Sequence, residues 1–229
     1  MVMLNGFPDA KETLNSKLDI IDEFYEKAAT PFVECISALK EYEEKEMEPV
    51  QGQCPCDEIK KNQDILNLLG QSCLCLMSTV INEYLRDFAT EKGHPFNPDL
   101  FACKGKYKKI ETFFKEHLGI TIEEKDINGL PFDLLLIKEI IDVRNSIQHE
   151  NRFWDLSCWH SDKFYRRFPR SRFFGEPIQN LPVEGSADTA RAITSEISVT
   201  PEGLKHARAK IEDFCRCLEA AYSATHPLS

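Results

Sequence analysis

Glycine is scarce in this chain, with 10 residues in 229. A turn-rich all-β sandwich or barrel needs many tight connections, so the scarcity argues against that class. Positive charge is also short: the formal net charge is −10. The chain as a whole therefore exerts no pull on nucleic acid or on an anionic membrane, and any phosphate contact must come from a local basic patch. The opening residues, MVMLNGFPDAKE, have neither a basic n-region nor an apolar h-region, so no secretory leader is expected. No apolar run looks as long as a membrane span, and no membrane contact is expected. A phosphate-binding Gly-rich loop, a dinucleotide fingerprint, a Gly-x-Ser-x-Gly elbow and a His-Glu-x-x-His pair are all missing. No cofactor and no metal is expected on that ground.

What is present is ordinary for a globular protein, with 42% hydrophobic and 29% charged residues. That is enough for a sizeable core, and residues 1–229 are expected to form a single domain. The cysteine count, nine, is odd. Without a leader this points to mostly reduced thiols and a cytoplasmic location. Three Cys-x-Cys pairs stand out: Cys54/Cys56, Cys73/Cys75 and Cys215/Cys217. Structural zinc usually takes wider spacings in turns. The second and third pairs fall in predicted helices, where they are expected to be small core residues. Cys54-Pro55-Cys56 is expected in a loop.

Apolar periodicity predicts helices almost throughout. From about Ala10 to Glu48, Leu14, Leu18, Ile21 and Tyr25 recur at helical spacing, as do Phe32, Ile36 and Leu39. Thr30-Pro31 predicts either two helices or one kinked helix. Glu48 to Glu58 reads as a loop, and a second helix is predicted from about Asn62 to Lys92, stopping at Gly93. Lys106 to Gly119 is an amphipathic helix closed by its glycine. Pro131 opens another helix that reaches about Asn151. Residues 153–199 break the pattern, and Ser195, Ile197 and Val199 alternate as in a short strand. Thr200-Pro201-Glu202 starts a last helix, to about Ser223. The expected fold is all-α, an antiparallel helical bundle with a short irregular or β insertion before its last helix.

The helix from Pro131 carries a conflict. Leu136, Ile140, Val143 and Ile147 form its apolar stripe. Asp142, Asn145 and His149 stack on another face at i, i+3 and i+7. Arg144 lies beside the stripe, near Ile137 and Ile140. A guanidinium keeps its charge and is costly to bury alone. A carboxylate from another helix, a partner subunit or a phosphate must meet it.

The run RNSIQH, Arg144 to His149, resembles the signature of the HEPN family: an arginine, a polar neighbour, and a histidine after four intervening residues near the end of a bundle helix. The resemblance covers the helix from about Pro131 to Asn151. It implies an all-helical bundle and, as in many members, metal-independent endoribonuclease activity in toxin–antitoxin, phage-defence or RNA-processing settings. It also implies a homodimer in which two motif helices face each other, and an antitoxin protein as a further partner. The implied catalytic residues are Arg144, Asn145 and His149. The imidazole suits proton transfer near neutral pH, and the guanidinium fork suits phosphate oxygens. Asn145 would orient a phosphate or His149. The alternative is a non-catalytic module of the same kind that binds RNA, a nucleotide or a protein partner.

In the insertion, HSDKFYRRFPRSRFF (His160 to Phe174) interleaves Lys163, Arg166, Arg167, Arg170 and Arg172 with aromatic residues. Cations that neutralise phosphates beside rings that stack on bases suit single-stranded RNA. The same composition also suits a loop packed on the bundle, its arginines paired with the acidic run Glu41 to Glu48.

Overall fold

The computed structural model describes residues 9–44, 55–95, 106–120 and 198–226, and seven helical residues within 137–147. The fold is all-α, with no strand among the described residues. Four helices are delimited: α1 (Ala10–Glu44), α2 (Pro55–Glu91), α3 (Lys106–Leu118) and α4 (Pro201–Thr225). The short strand expected near Val199 falls mainly outside the described residues, and 198–200 have no regular structure.

Local chemistry accounts for the helix ends. Gly93 adopts φ 81° after α2. The His94 N–H donates to the Ala89 carbonyl at 2.9 Å and the Gly93 N–H to Thr90 at 3.0 Å. That pair of bonds is a Schellman cap, which only a left-handed residue completes without strain. Gly119, at φ 64°, ends α3 in a similar left-handed turn. Thr200 Oγ1 accepts from the Gly203 N–H at 3.0 Å and so caps α4, a contact that contributes about 1 kcal/mol.

One open alternative is decided and one boundary departs from expectation. α1 is one continuous helix with Pro31 inside it. Pro31 and Lys27 are both exposed, so water can meet the Lys27 carbonyl that proline leaves without a donor. α2 starts at Pro55 rather than near Asn62. Cys56 therefore lies in the first helical turn, not in a loop. Proline needs no N–H partner at that position, and Asp57 and Glu58 follow it in the first turn, where carboxylates favour the helix dipole.

The chain divides into two compact units, each assembled from separate stretches. The first comprises residues 1–20, 77–138 and 206–229. In it the start of α1 runs antiparallel to α2 and to α4. Lys17 meets Glu83 at 2.7 Å, Lys11 meets Glu219 at 2.8 Å, and Arg208 meets Asp19 at 2.5 Å. These pairs are part-exposed and fix register more than they add stability. The core is apolar. Met77, Ile81, Tyr84 and Phe88 of α2 and Ala207, Ile211, Phe214, Leu218 and Ala221 of α4 recur in steps of three and four, and all are buried.

The second unit comprises residues 21–76 and 139–205. Here the chain before α4 is pinned to α2. Asn67 Oδ1 accepts from the Val199 N–H at 3.0 Å. Gly70 lets that backbone come so close that a Cβ would stand 2.5 Å from the Val199 carbonyl oxygen. Buried Asn62 satisfies its amide on the Glu58 carbonyl at 2.7 Å and the Cys35 sulfur at 3.7 Å.

α2 also corrects the reading that no segment suits a bilayer. By length and composition it is apolar enough to cross a membrane. Between Asp64 and Glu83 it carries no charge. Uncharged Asn, Gln, Ser and Thr break up its apolar runs without lowering its mean hydropathy much. Core helices of globular proteins pass the same test.

Candidate functional site

Arg144 lies on a helix enclosed more widely than its sequence stripe implied. Ile140, Ile141 and Val143 are buried, and so is Glu139 at 4% exposure. Arg144 follows Ile140 by four residues and Ile141 by three, so buried isoleucines flank the side on which its stem leaves the helix. The residue is half-buried, as an arginine is when its methylenes cover apolar surface. It has an interaction partner, as Glu139 does. Glu139 has no role assigned from the sequence. A carboxylate this deep is kept only where something meets it.

Of the three residues implied as catalytic, the structure thus positions Arg144. Asn145 and His149 lie outside the described residues, as does Asp142. The five cations expected to contact RNA, Lys163, Arg166, Arg167, Arg170 and Arg172, lie outside them too. Among the described residues no three potential metal ligands come together.

A second feature was not anticipated. A groove of about 570 Å³ runs along α1 within the second unit. Asp22, Glu26, Thr30 and Glu34 follow one another at four-residue spacing on its α1 wall, and Ala29 and Val33 lie beside them. Pro201, Leu204 and Lys205 of α4 form the opposite wall. Val33 is 49% exposed, unusual for a valine on a core-forming helix. Tyr25 also lines the groove, and its phenol is held above its ordinary range by burial first, then by the charges of Cys73 and Glu202. The α1 half of this feature is legible as an i, i+4 polar row with carboxylates at three of its four positions. The α4 half depends on packing.

The thiols separate by environment. Cys73, Cys215 and Cys217 are buried, Cys35 and Cys75 half-buried, and none of the five is in a disulfide. Cys56 is disulfide-bonded, unlike these five. The Cys73 thiol is pushed up to about 11, by burial first and then by Asp22 and Cys75. Burial likewise holds Cys215 well above the ordinary range. A raised thiol is almost wholly protonated near pH 8 and reacts slowly. Under native conditions iodoacetamide should therefore label Cys35 and Cys75 well before Cys73 and Cys215. Peptide mapping by mass spectrometry checks this, and early labelling of Cys73 would contradict the packing described.

Comparison of the chain with protein-family models, curated proteins and solved structures returned no match. The functional reading therefore rests on the residues themselves.

Proposed function

We propose that the chain is a metal-independent endoribonuclease that acts as a homodimer. The observation that carries this reading is Arg144, a permanent charge half-buried beside Ile140 and Ile141, followed by Asn145 and His149 in the order of the HEPN signature. A guanidinium fork at that edge suits the non-bridging oxygens of a phosphate.

The chemistry needs no group from outside the chain. A base removes the proton of a ribose 2′-hydroxyl, and the oxygen attacks the adjacent phosphorus. The P–O5′ bond breaks, and an acid protonates the leaving oxygen. The products are a 2′,3′-cyclic phosphate and a 5′-hydroxyl. In this scheme His149 moves the protons and Arg144 binds the non-bridging oxygens as their charge grows. Asn145 orients the phosphate or the imidazole. Arg144 and His149 are five residues apart, so on an ideal helix they diverge by about 140°. One helix does not aim both at one phosphorus, whereas two facing helices in a dimer do.

That geometry gives a sharp test. Arg144→Ala and His149→Ala should each cleave RNA about 100-fold more slowly than wild type. Mixing the two inactive variants and letting subunits exchange should restore a substantial part of the rate. A mixed dimer keeps one site with Arg144 from one chain and His149 from the other. No recovery in a preparation shown to contain mixed dimers would rule out a shared site. A protein that stays monomeric at assay concentration would do the same.

A further inference from the structure

We propose that the groove along α1 docks a basic amphipathic helix supplied by a partner protein. The inference is independent of RNA cleavage and concerns a separate surface.

Charge complementarity is the first argument. Asp22, Glu26 and Glu34 line the groove against a single cation, Lys205, among its described residues. Glu26 and Glu34 are exposed. RNA and anionic lipid are both repelled by such a surface, so the cleft does not extend the proposed nuclease site. A cationic occupant is attracted.

The second argument is the apolar strip beside the carboxylates. Val33 and Pro201 are its exposed apolar residues, above buried Ala29 and Leu204. A bare polyamine would leave that strip uncovered. A segment with apolar residues on one edge and lysines or arginines on the other fits both halves. The third argument is length. From Asp22 to Glu34 the α1 wall rises about 18 Å, some three helical turns. That is the span over which a helix in a groove places anchors at i, i+3 or i+4, and i+7. Glu26 follows Asp22 by about 6 Å of rise and Glu34 follows Glu26 by about 12 Å, matching cations at offsets of four and then eight residues on an occupant.

The experiment measures binding of a labelled leucine–lysine peptide of about 14 residues, patterned as an amphipathic helix, to the full chain by fluorescence anisotropy. A scrambled peptide of the same composition and free spermidine serve as comparisons. Glu26→Lys/Glu34→Lys should weaken peptide binding about tenfold or more. Glu12→Lys/Glu116→Lys makes the same charge change at exposed positions that do not line the groove, and it should cost less than about threefold. Val33→Ser should weaken binding as well, without touching charge. Equal loss in both double variants would show only general charge attraction and overturn the proposal. So would a scrambled peptide that binds as well as the patterned one, or no binding at all. Displacement by spermidine together with indifference to Val33→Ser would make the groove a small-cation site, which also overturns it.

Discussion

Phe88→Ala is expected to destabilise the first unit by about 3–5 kcal/mol, the range for deleting a buried phenyl ring. Phe88 is 1% exposed and sits where α2, α3 and α4 meet. Its ring stacks on Phe114 at 6.2 Å and on Tyr84 at 5.7 Å, and meets the edge of Tyr222 at 6.0 Å. The Lys92 ammonium stands 5.3 Å from the Phe88 centroid and 5.1 Å from that of Tyr222. Removing the ring opens a void among side chains from three helices and takes one of two faces from the lysine. A domain has only about 5–15 kcal/mol in all, so the loss is a large share. Urea unfolding followed by circular dichroism measures it. Phe24→Ala is the matched comparison: Phe24 is 46% exposed and should shift stability by less than about 1 kcal/mol. Similar midpoints for the two variants would contradict the core described.

Gly70→Ala is the second large effect, and its sign is contested by two terms. Alanine is better than glycine inside a helix by about 1 kcal/mol. Against that, the added methyl would stand 2.5 Å from the Val199 carbonyl oxygen and 2.8 Å from its Cβ. The first is backbone and cannot swing aside. Residues 198–200 would have to shift, straining the Asn67–Val199 hydrogen bond and the capped start of α4. Overpacking of this kind costs about 1–3 kcal/mol and a weakened hydrogen bond about 1 more. The clash should win, with a net loss of about 1–3 kcal/mol. A Gly70→Ala protein as stable as wild type would mean that 198–200 do not pack on α2 as described. Gly93→Ala meets no neighbour, so its cost is the left-handed backbone alone, about 1 kcal/mol.

How far the sequence foretold this structure varied from element to element. The limits of α3 and the start of α4 were legible, because Gly119 and Thr200-Pro201 are signals that act through the local backbone. The start of α2 was misplaced because Pro55 was read together with the glycine and proline before it as loop chemistry. The same proline is equally at home in a first helical turn. Pro31 left two outcomes open, and solvent exposure decided between them. The stripe through Ile140 and Val143 was correct but too narrow. A helical wheel shows which face is most apolar, not how many neighbours enclose the helix, so the burial of Ile141 and Glu139 was not foreseen. The groove shows the same division: its polar row is visible on α1, while the wall supplied by Pro201 and Leu204 comes from far along the chain.

The central claim is that Arg144 and His149 form a ribonuclease site that needs no metal. The most direct measurement is cleavage of a defined single-stranded RNA by purified protein in excess EDTA, with analysis of the product ends. The account predicts cleavage by wild type that leaves 2′,3′-cyclic phosphate and 5′-hydroxyl ends, and a loss of about 100-fold or more with His149→Ala. Cleavage that EDTA abolishes, or that proceeds equally in the His149→Ala protein, would contradict it.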